Sequence, residues 1–224
     1  MGLDILLFIV SLVLVLGAQG IVSASYAKYK VKENKKGVTG FDVARAILDK
    51  NGLKGILIVE TPDKLSDHYD PTRKTVRLST DVYHNATIAS VAIAAHECGH
   101  VIQHKEKYVP MMIRSAIVPI VNLASKIGYV VLFIGIIASL FDLTMLGIIL
   151  LCATLVFQLI TLPVEFNASK RAVKILESEK LIEQQEKSGV KTMLTAAAFT
   201  YVASLLANLL EILRLFLMAS RSRD

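Results

Sequence analysis

The chain has 224 residues, 54% of them hydrophobic, and a mean hydropathy of +0.54. That is too apolar for an ordinary soluble domain of this length. The net charge of +6 does not indicate nucleic acid, because the Lys and Arg are dispersed among acids and fall beside apolar runs, where they read as membrane-flanking charge. Two cysteines, Cys98 and Cys152, form neither a CxxC pair nor a disulfide framework.

Ile5 to Ala24 is nearly all Leu, Ile and Val and is long enough to cross a bilayer. Val22-Ser23-Ala24 has the small residues of a signal-peptide cleavage site, but Met1 to Asp4 carries an acid where a signal peptide needs positive charge. Lys28, Lys30, Lys32, Lys35 and Lys36 follow the run instead. The positive-inside rule therefore predicts an uncleaved anchor with the next segment cytoplasmic.

Thr39-Gly40-Phe41-Asp42 is a capping box that opens a helix through Asp49, closed by Asn51-Gly52. Val43, Ala44, Ile47 and Leu48 make one apolar face. Gly55 to Glu60 reads as a strand, Asp63 to Arg73 as a polar stretch with a turn at Asp70-Pro71, and Lys74 to Ser79 as a half-buried strand. An edge strand here would hold an extended peptide by backbone hydrogen bonds, or merely cover the next helix.

That helix, Ala86 to Lys105, carries His96-Glu97-Cys98-Gly99-His100 after a small, apolar run free of breakers. Residues four apart on a helix share a face, so His96 and His100 offer two imidazoles to one metal ion. Glu97 lies about 100° around the helix, within reach of water beside the metal. A hydrolytic zinc site needs three protein ligands, an open position and a base, and the motif supplies two ligands and the base. Cys98 points off the metal face and reads as a small buried hydrophobe. A third His at the metzincin spacing is excluded, because Glu106 and Gln103 stand where that class needs His and Gly. His104 is two turns beyond His96 and off the metal position, and His68 and His84 read as solvated loop histidines.

Ile113 to Phe141 and Leu143 to Leu162 are apolar runs joined around Asp142 by a stretch without Lys or Arg, which predicts a transmembrane hairpin turning outside. Lys126 splits the first run, leaving Arg114 to Ser125 as an interfacial lead-in. Gly128 and Gly135 allow close helix approach. Pro163 suits a helix start or kink. Lys170, Arg171, Lys174, Lys180, Lys187 and Lys191 return the next segment to the cytoplasmic side with the motif helix. Glu165 is then a carboxylate on the correct side to reach the metal, although as an isolated residue it equally fits a first-turn glutamate favoured by the helix dipole. Met193 to Met218 is a fourth apolar run broken by Asn208, Glu211 and Arg214, the last two spaced to pair on one face. If it spans, the tail Arg221-Ser222-Arg223 lies outside, against the positive-inside rule.

The HExxH pentapeptide after an Ala-rich run, the apolar hairpin, and Pro163-Val164-Glu165-Phe166-Asn167-Ala168-Ser169 together resemble the YugP-type membrane zinc metallopeptidases of bacteria over essentially the whole chain. That family is similar in plan to the HtpX and CAAX-prenyl-protease gluzincins, in which a Glu opening a later helix is the third zinc ligand. The resemblance implies Glu165 for that role. The HtpX group carries an Asp four residues after its Glu. Ser169 stands there in this chain, so that supporting role is not carried over, and none is assigned to Asn167 or Arg171.

The expected architecture is a mostly α membrane protein with about four transmembrane helices and a small α+β zincin-like catalytic domain on the cytoplasmic side. The expected segments are an anchor at 1–24, a zincin-like segment at 25–113, a transmembrane hairpin at 114–162, a cytoplasmic helix with the third ligand at 163–192, and a C-terminal apolar helix and tail at 193–224. The expected function is a zinc-dependent metalloendopeptidase of the bacterial inner membrane, with Zn²⁺ on His96, His100 and Glu165, Glu97 as general base, and peptide or membrane-protein substrates. A protease cutting within the bilayer is disfavoured, since more than sixty mostly polar residues precede the motif helix and no Asp-Gly ligand motif follows. A catalytically silent membrane scaffold or regulator with a retained zinc site is the rival from another class, and retention of Glu97 counts against it.

Overall fold

The structure is a computed structural model that describes residues 2–63 and 66–221. Among the described residues the chain is mostly helical, with seven helices and one small three-stranded sheet. Four helices are long and apolar enough to cross a membrane: α1 (Gly2–Tyr29), α5 (Val109–Ile137), α6 (Phe141–Ser178) and α7 (Lys187–Arg221). Of the C-terminal tail, Ser222 to Asp224 lie outside the described residues, as do Lys64 and Leu65 within the polar stretch.

The chain divides into two compact units. One comprises Met1–Gln19, Val109–Pro163 and Phe199–Asp224. Two of its helices pack through small residues, which let backbones approach closely. A Cβ on Gly135 would lie 2.5 Å from the Thr144 backbone nitrogen, and one on Gly147 would lie 2.6 Å from the Leu132 nitrogen, so α5 and α6 touch backbone to backbone. The hairpin differs from expectation in two details. Asp142 sits in the first turn of α6 rather than in the connection, and Arg114 to Ser125 is part of one continuous α5 that runs through Pro119 and Lys126. Polar groups in the apolar stretches find partners: Asn208 donates to Thr154 Oγ1 and Gln158 Oε1 at 2.8 and 3.0 Å, and Arg214 Nε donates to Glu211 at 2.9 Å.

The other unit comprises Gly20–Tyr108 and Val164–Ala198. Here α2 (Gly40–Lys50) begins at a complete Thr39–Asp42 capping box and ends at Asn51, with Gly52 in the left-handed region at φ +69°. Strands β1 (Leu57–Thr61), β2 (His68–Asp70) and β3 (Thr75–Ser79) form a sheet of order β1-β3-β2, with β1 parallel and β2 antiparallel to β3. Strand β2 arises within the stretch read as polar connection. Its addition makes β3 central, so Val76 and Leu78 are fully buried and β3 is not the half-buried strand its alternation suggests. A short α3 (Thr80–His84) leads to α4 (Ile88–Lys105), capped by Thr87 Oγ1 on the Ser90 N–H.

The core of this unit joins Val43, Ile47 and Leu48 of α2 with Val76 and Leu78, the Ala face of α4, and Ala172 and Leu176 of α6. Full burial of each such Leu or Ile contributes roughly 1.5–3 kcal/mol. The run of alanines in α4 has a geometric effect as well, because small side chains let neighbouring helices come close enough for short polar side chains to meet across them. Pro163 neither starts nor ends a helix: α6 continues through it to Ser178, so Glu165 sits mid-helix and not in a first turn.

Candidate metal centre

The site lies wholly within the second unit, between α4 and α6. His96 and His100 project from one face of α4 with their rings edge-to-face, the centroids 4.8 Å apart. Glu165, 2% exposed, reaches across from α6. Its Oε2 is 3.3 Å from His96 Nε2 and 3.6 Å from His100 Nε2. One ligand atom from each of the three residues lies within 4.8 Å of the others.

The approach of the two helices depends on Gly99. A Cβ there would fall 2.8 Å from the Ala168 carbonyl oxygen and 3.2 Å from its Cα, so only glycine lets α4 rest on the α6 backbone at this level. The glycine of the motif therefore sets the distance across which Glu165 meets the two imidazoles.

Each imidazole is held by its second nitrogen. Ser169 Oγ is 3.2 Å from His96 Nδ1. Ser169 thus stands beside His96 at the position four residues past Glu165, one turn along the same helix face. His100 Nδ1 is 3.0 Å from Gln103 Oε1, and Gln103, completely buried, donates through Nε2 to the Val164 carbonyl at 2.8 Å and to Asn167 Oδ1 at 3.0 Å. Arg171 Nε donates to the same Asn167 oxygen at 2.6 Å, and its guanidinium pairs with Glu106 at 2.7 Å. Sequence reasoning meets Gln103 only as the residue that excludes a longer histidine motif. The available signal was its spacing: three residues beyond His100, on the same helix face, a long amide in an otherwise small and apolar helix.

Glu97 is 7% exposed, and among the described residues its carboxylate makes no hydrogen bond or ion pair. Burial alone would lower His100, but the Glu165 carboxylate beside it, the charge of Glu97 and the Gln103 contact raise it above the ordinary histidine value. The same negative field that favours a proton at His100 favours a cation. Burial pushes the Cys98 thiol far up, with its Sγ on the Ala44 carbonyl, in keeping with an inert packed cysteine.

The remaining histidines stand apart from this group. His104 Nδ1 bonds the Tyr69 hydroxyl at 2.9 Å, His68 Nδ1 lies 2.7 Å from the Ser66 carbonyl, and His84 Nε2 lies 3.2 Å from Glu60.

Asp67 is a further carboxylate that feels the charge of Glu97. It accepts from the Ser79 N–H at 2.7 Å and from the Ser79 hydroxyl. Burial raises its carboxyl above the ordinary aspartate value and Glu97 pushes the same way, against the lowering by the Ser79 N–H. An acid raised in the folded state adds stability fully present below its unfolded pKa and lost as pH climbs through the folded value. Asp67→Asn, which keeps an acceptor for Ser79, is therefore expected to raise Tm at pH 7, with the gain shrinking as pH falls toward about 4. Melting curves of both chains across that range check this, and a pH-independent difference refutes it.

The donor set fits zinc. Two imidazole nitrogens and one carboxylate oxygen are ligand types zinc accepts, three in number, as in catalytic sites. A tetrahedral ion with bonds of about 2.0–2.1 Å separates its ligand atoms by roughly 3.3–3.4 Å, close to the 3.3 and 3.6 Å between Glu165 and the two histidines.

A family model described as "Putative neutral zinc metallopeptidase" matches residues 4–220. The chain is 45% identical over 222 residues, covering 99% of each sequence, to the "Putative membrane protease YugP" of Bacillus subtilis (strain 168). No solved structure matches.

Proposed function

Because the chain belongs to the neutral zinc metallopeptidase family, we propose that it is a membrane-bound zinc endopeptidase of gluzincin type, with His96, His100 and Glu165 as the zinc ligands and Glu97 as the general base. The observation that carries this reading is the convergence of three ligand atoms from two helices, those of His100 and Glu165 buried and that of His96 half-buried, next to the buried carboxylate of Glu97. Held by His96, His100 and Glu165, zinc would supply Lewis acidity to lower the pKa of a water toward neutrality and polarise a carbonyl. Glu97 accepts the proton of the attacking water and delivers it to the leaving amine. Ser169 and Gln103 contact the second nitrogens of the two imidazoles.

The four long apolar helices and the relative described as a membrane protease support a membrane location. The lysines after α1 and those from Lys170 to Lys191 support a cytoplasmic side for the site-bearing segments, by the positive-inside rule. A site in that position suits peptide segments of membrane or membrane-associated proteins.

The test uses the full chain in detergent, stripped of metal and then titrated with zinc. Wild type is expected to bind one zinc per chain and to cleave an unfolded test protein, with cleavage stopped by a chelator. Glu165→Gln is expected to lose tight binding, since a neutral amide oxygen is a far weaker ligand than a carboxylate. Cleavage indifferent to the chelator, or zinc binding indifferent to Glu165, would overturn the assignment.

A further inference from the structure

The contacts around His100 have a direction that the chemistry of their ends determines. Arg171 has only N–H donors, so the Asn167 atom 2.6 Å from its Nε must be the carbonyl oxygen. That oxygen, with lone pairs still available, is also 3.0 Å from one terminal atom of the Gln103 amide, which must then be nitrogen. The same atom lies 2.8 Å from the Val164 carbonyl, an acceptor only, which demands a donor independently. Both hydrogens of the Gln103 amide are used on α6. Its oxygen therefore faces His100 Nδ1, and that nitrogen must donate. A guanidinium at one end and a backbone carbonyl at the side leave no alternative arrangement of the two amides.

We infer that Gln103 is a positioning residue which, through Asn167 and Arg171, locks the His100 ring with Nδ1–H turned to the helix interface and the Nε2 lone pair turned to Glu165 and His96. The inference rests on the zinc reading of this site. It adds that the orientation of one ligand is dictated from α6, the helix that also carries Glu165, by a chain of side chains that never touch the metal position. Ser169 does not do the equivalent for His96, because a hydroxyl can donate or accept and imposes no direction. Gln103 also fastens the Val164 carbonyl, the residue before Glu165, to α4. A single buried amide thereby ties the backbone next to the carboxylate ligand to the ring of a histidine ligand. Partners of this kind, which orient a metal-bound imidazole by its other nitrogen, typically carry 10–100-fold of metal affinity.

The test compares zinc affinity, by competition with a chromophoric chelator, and Tm of the metal-free chain for wild type, Gln103→Leu, Asn167→Asp and Asn167→Leu in detergent. Gln103→Leu conserves bulk and removes both ends of the amide, and about 10–100-fold weaker zinc binding is expected. Asn167→Asp keeps an oxygen for both Gln103 and Arg171 and is expected to stay within about twofold of wild type, whereas Asn167→Leu, which frees the Gln103 amide to rotate, is expected to weaken binding several-fold. If Gln103→Leu does not fold, the Asn167 pair decides. Zinc affinity unchanged in Gln103→Leu, or lost equally in Asn167→Asp and Asn167→Leu, would show a packing role only and overturn the inference while leaving the zinc site intact. Absence of zinc binding in wild type would overturn the functional reading and this inference with it.

Discussion

Glu97→Gln is expected to reduce cleavage by a factor of about 10²–10⁴ while the chain still binds one zinc. General acid–base transfer contributes that much to a rate, equivalent to about 3–5 kcal/mol of barrier at 1.36 kcal/mol per tenfold. Gln keeps the size of Glu97 and loses its basicity. Glu97 lies outside the group of three ligand atoms, so zinc should stay bound, though less tightly without the Glu97 charge. Cleavage of an unfolded protein by both zinc-loaded chains, with zinc content measured alongside, gives the result directly. A mutant that cleaves like wild type would remove Glu97 from the chemistry. A mutant that loses zinc would make it a ligand. No cleavage by either chain, with zinc bound in both, would favour the silent scaffold.

Gly99→Ala is expected to weaken zinc binding by at least about tenfold and to lower Tm, with a stability loss of about 1–3 kcal/mol, the usual cost of forcing extra volume into a packed interface. The sign is diagnostic. Ala in a helix interior normally stabilises by about 0.5–1 kcal/mol relative to Gly, so a solvated or loosely packed position would gain from the change. Here the new Cβ would meet the Ala168 carbonyl oxygen at 2.8 Å. That atom belongs to the α6 backbone and cannot move aside as a flexible side chain could. The two helices must part, and Glu165 moves away from His96 and His100 because the ligands sit on opposite sides of the widened gap. Metal-free melting and zinc competition on the same preparation separate the two effects. A raised Tm with unchanged zinc affinity would mean that the helices are not held at this distance.

Much of this protein follows from local pattern. The capping box at Thr39, the apolar faces of α2 and α4, the HExxH spacing and the long apolar runs are each specified within a stretch of a few to thirty residues. The physics behind them is equally local: helix period, caps, and the hydrocarbon thickness of a bilayer. Two histidines four apart on a helix share a face whatever the rest of the chain does. Glu165 is a different case. From the residues around it, it could equally be a dipole-favoured glutamate, and resemblance to a family raised it above the other acids.

Tertiary structure decided what depends on residues far apart in sequence. Strand β2 is three residues within a polar stretch and exists because β3 offers it an edge, which also turns β3 into a buried central strand. Pro163 reads as a helix boundary, yet α6 passes through it, so Glu165 and Ser169 stand one turn apart on a continuous rigid helix facing α4. Ser169, Asn167 and Arg171 acquire definite partners only across that interface, and Gln103 is recognisable as more than a buried amide only once the groups at both of its ends are known. Hydrogen-bond polarity crosses from α6 to α4 between Asn167 and Gln103, 64 residues apart, and no local pattern in the sequence encodes that crossing. The pentapeptide by itself determined which two imidazoles share a face. The close packing of α4 on α6, permitted by Gly99, decided which carboxylate meets them and which nitrogen each ring presents.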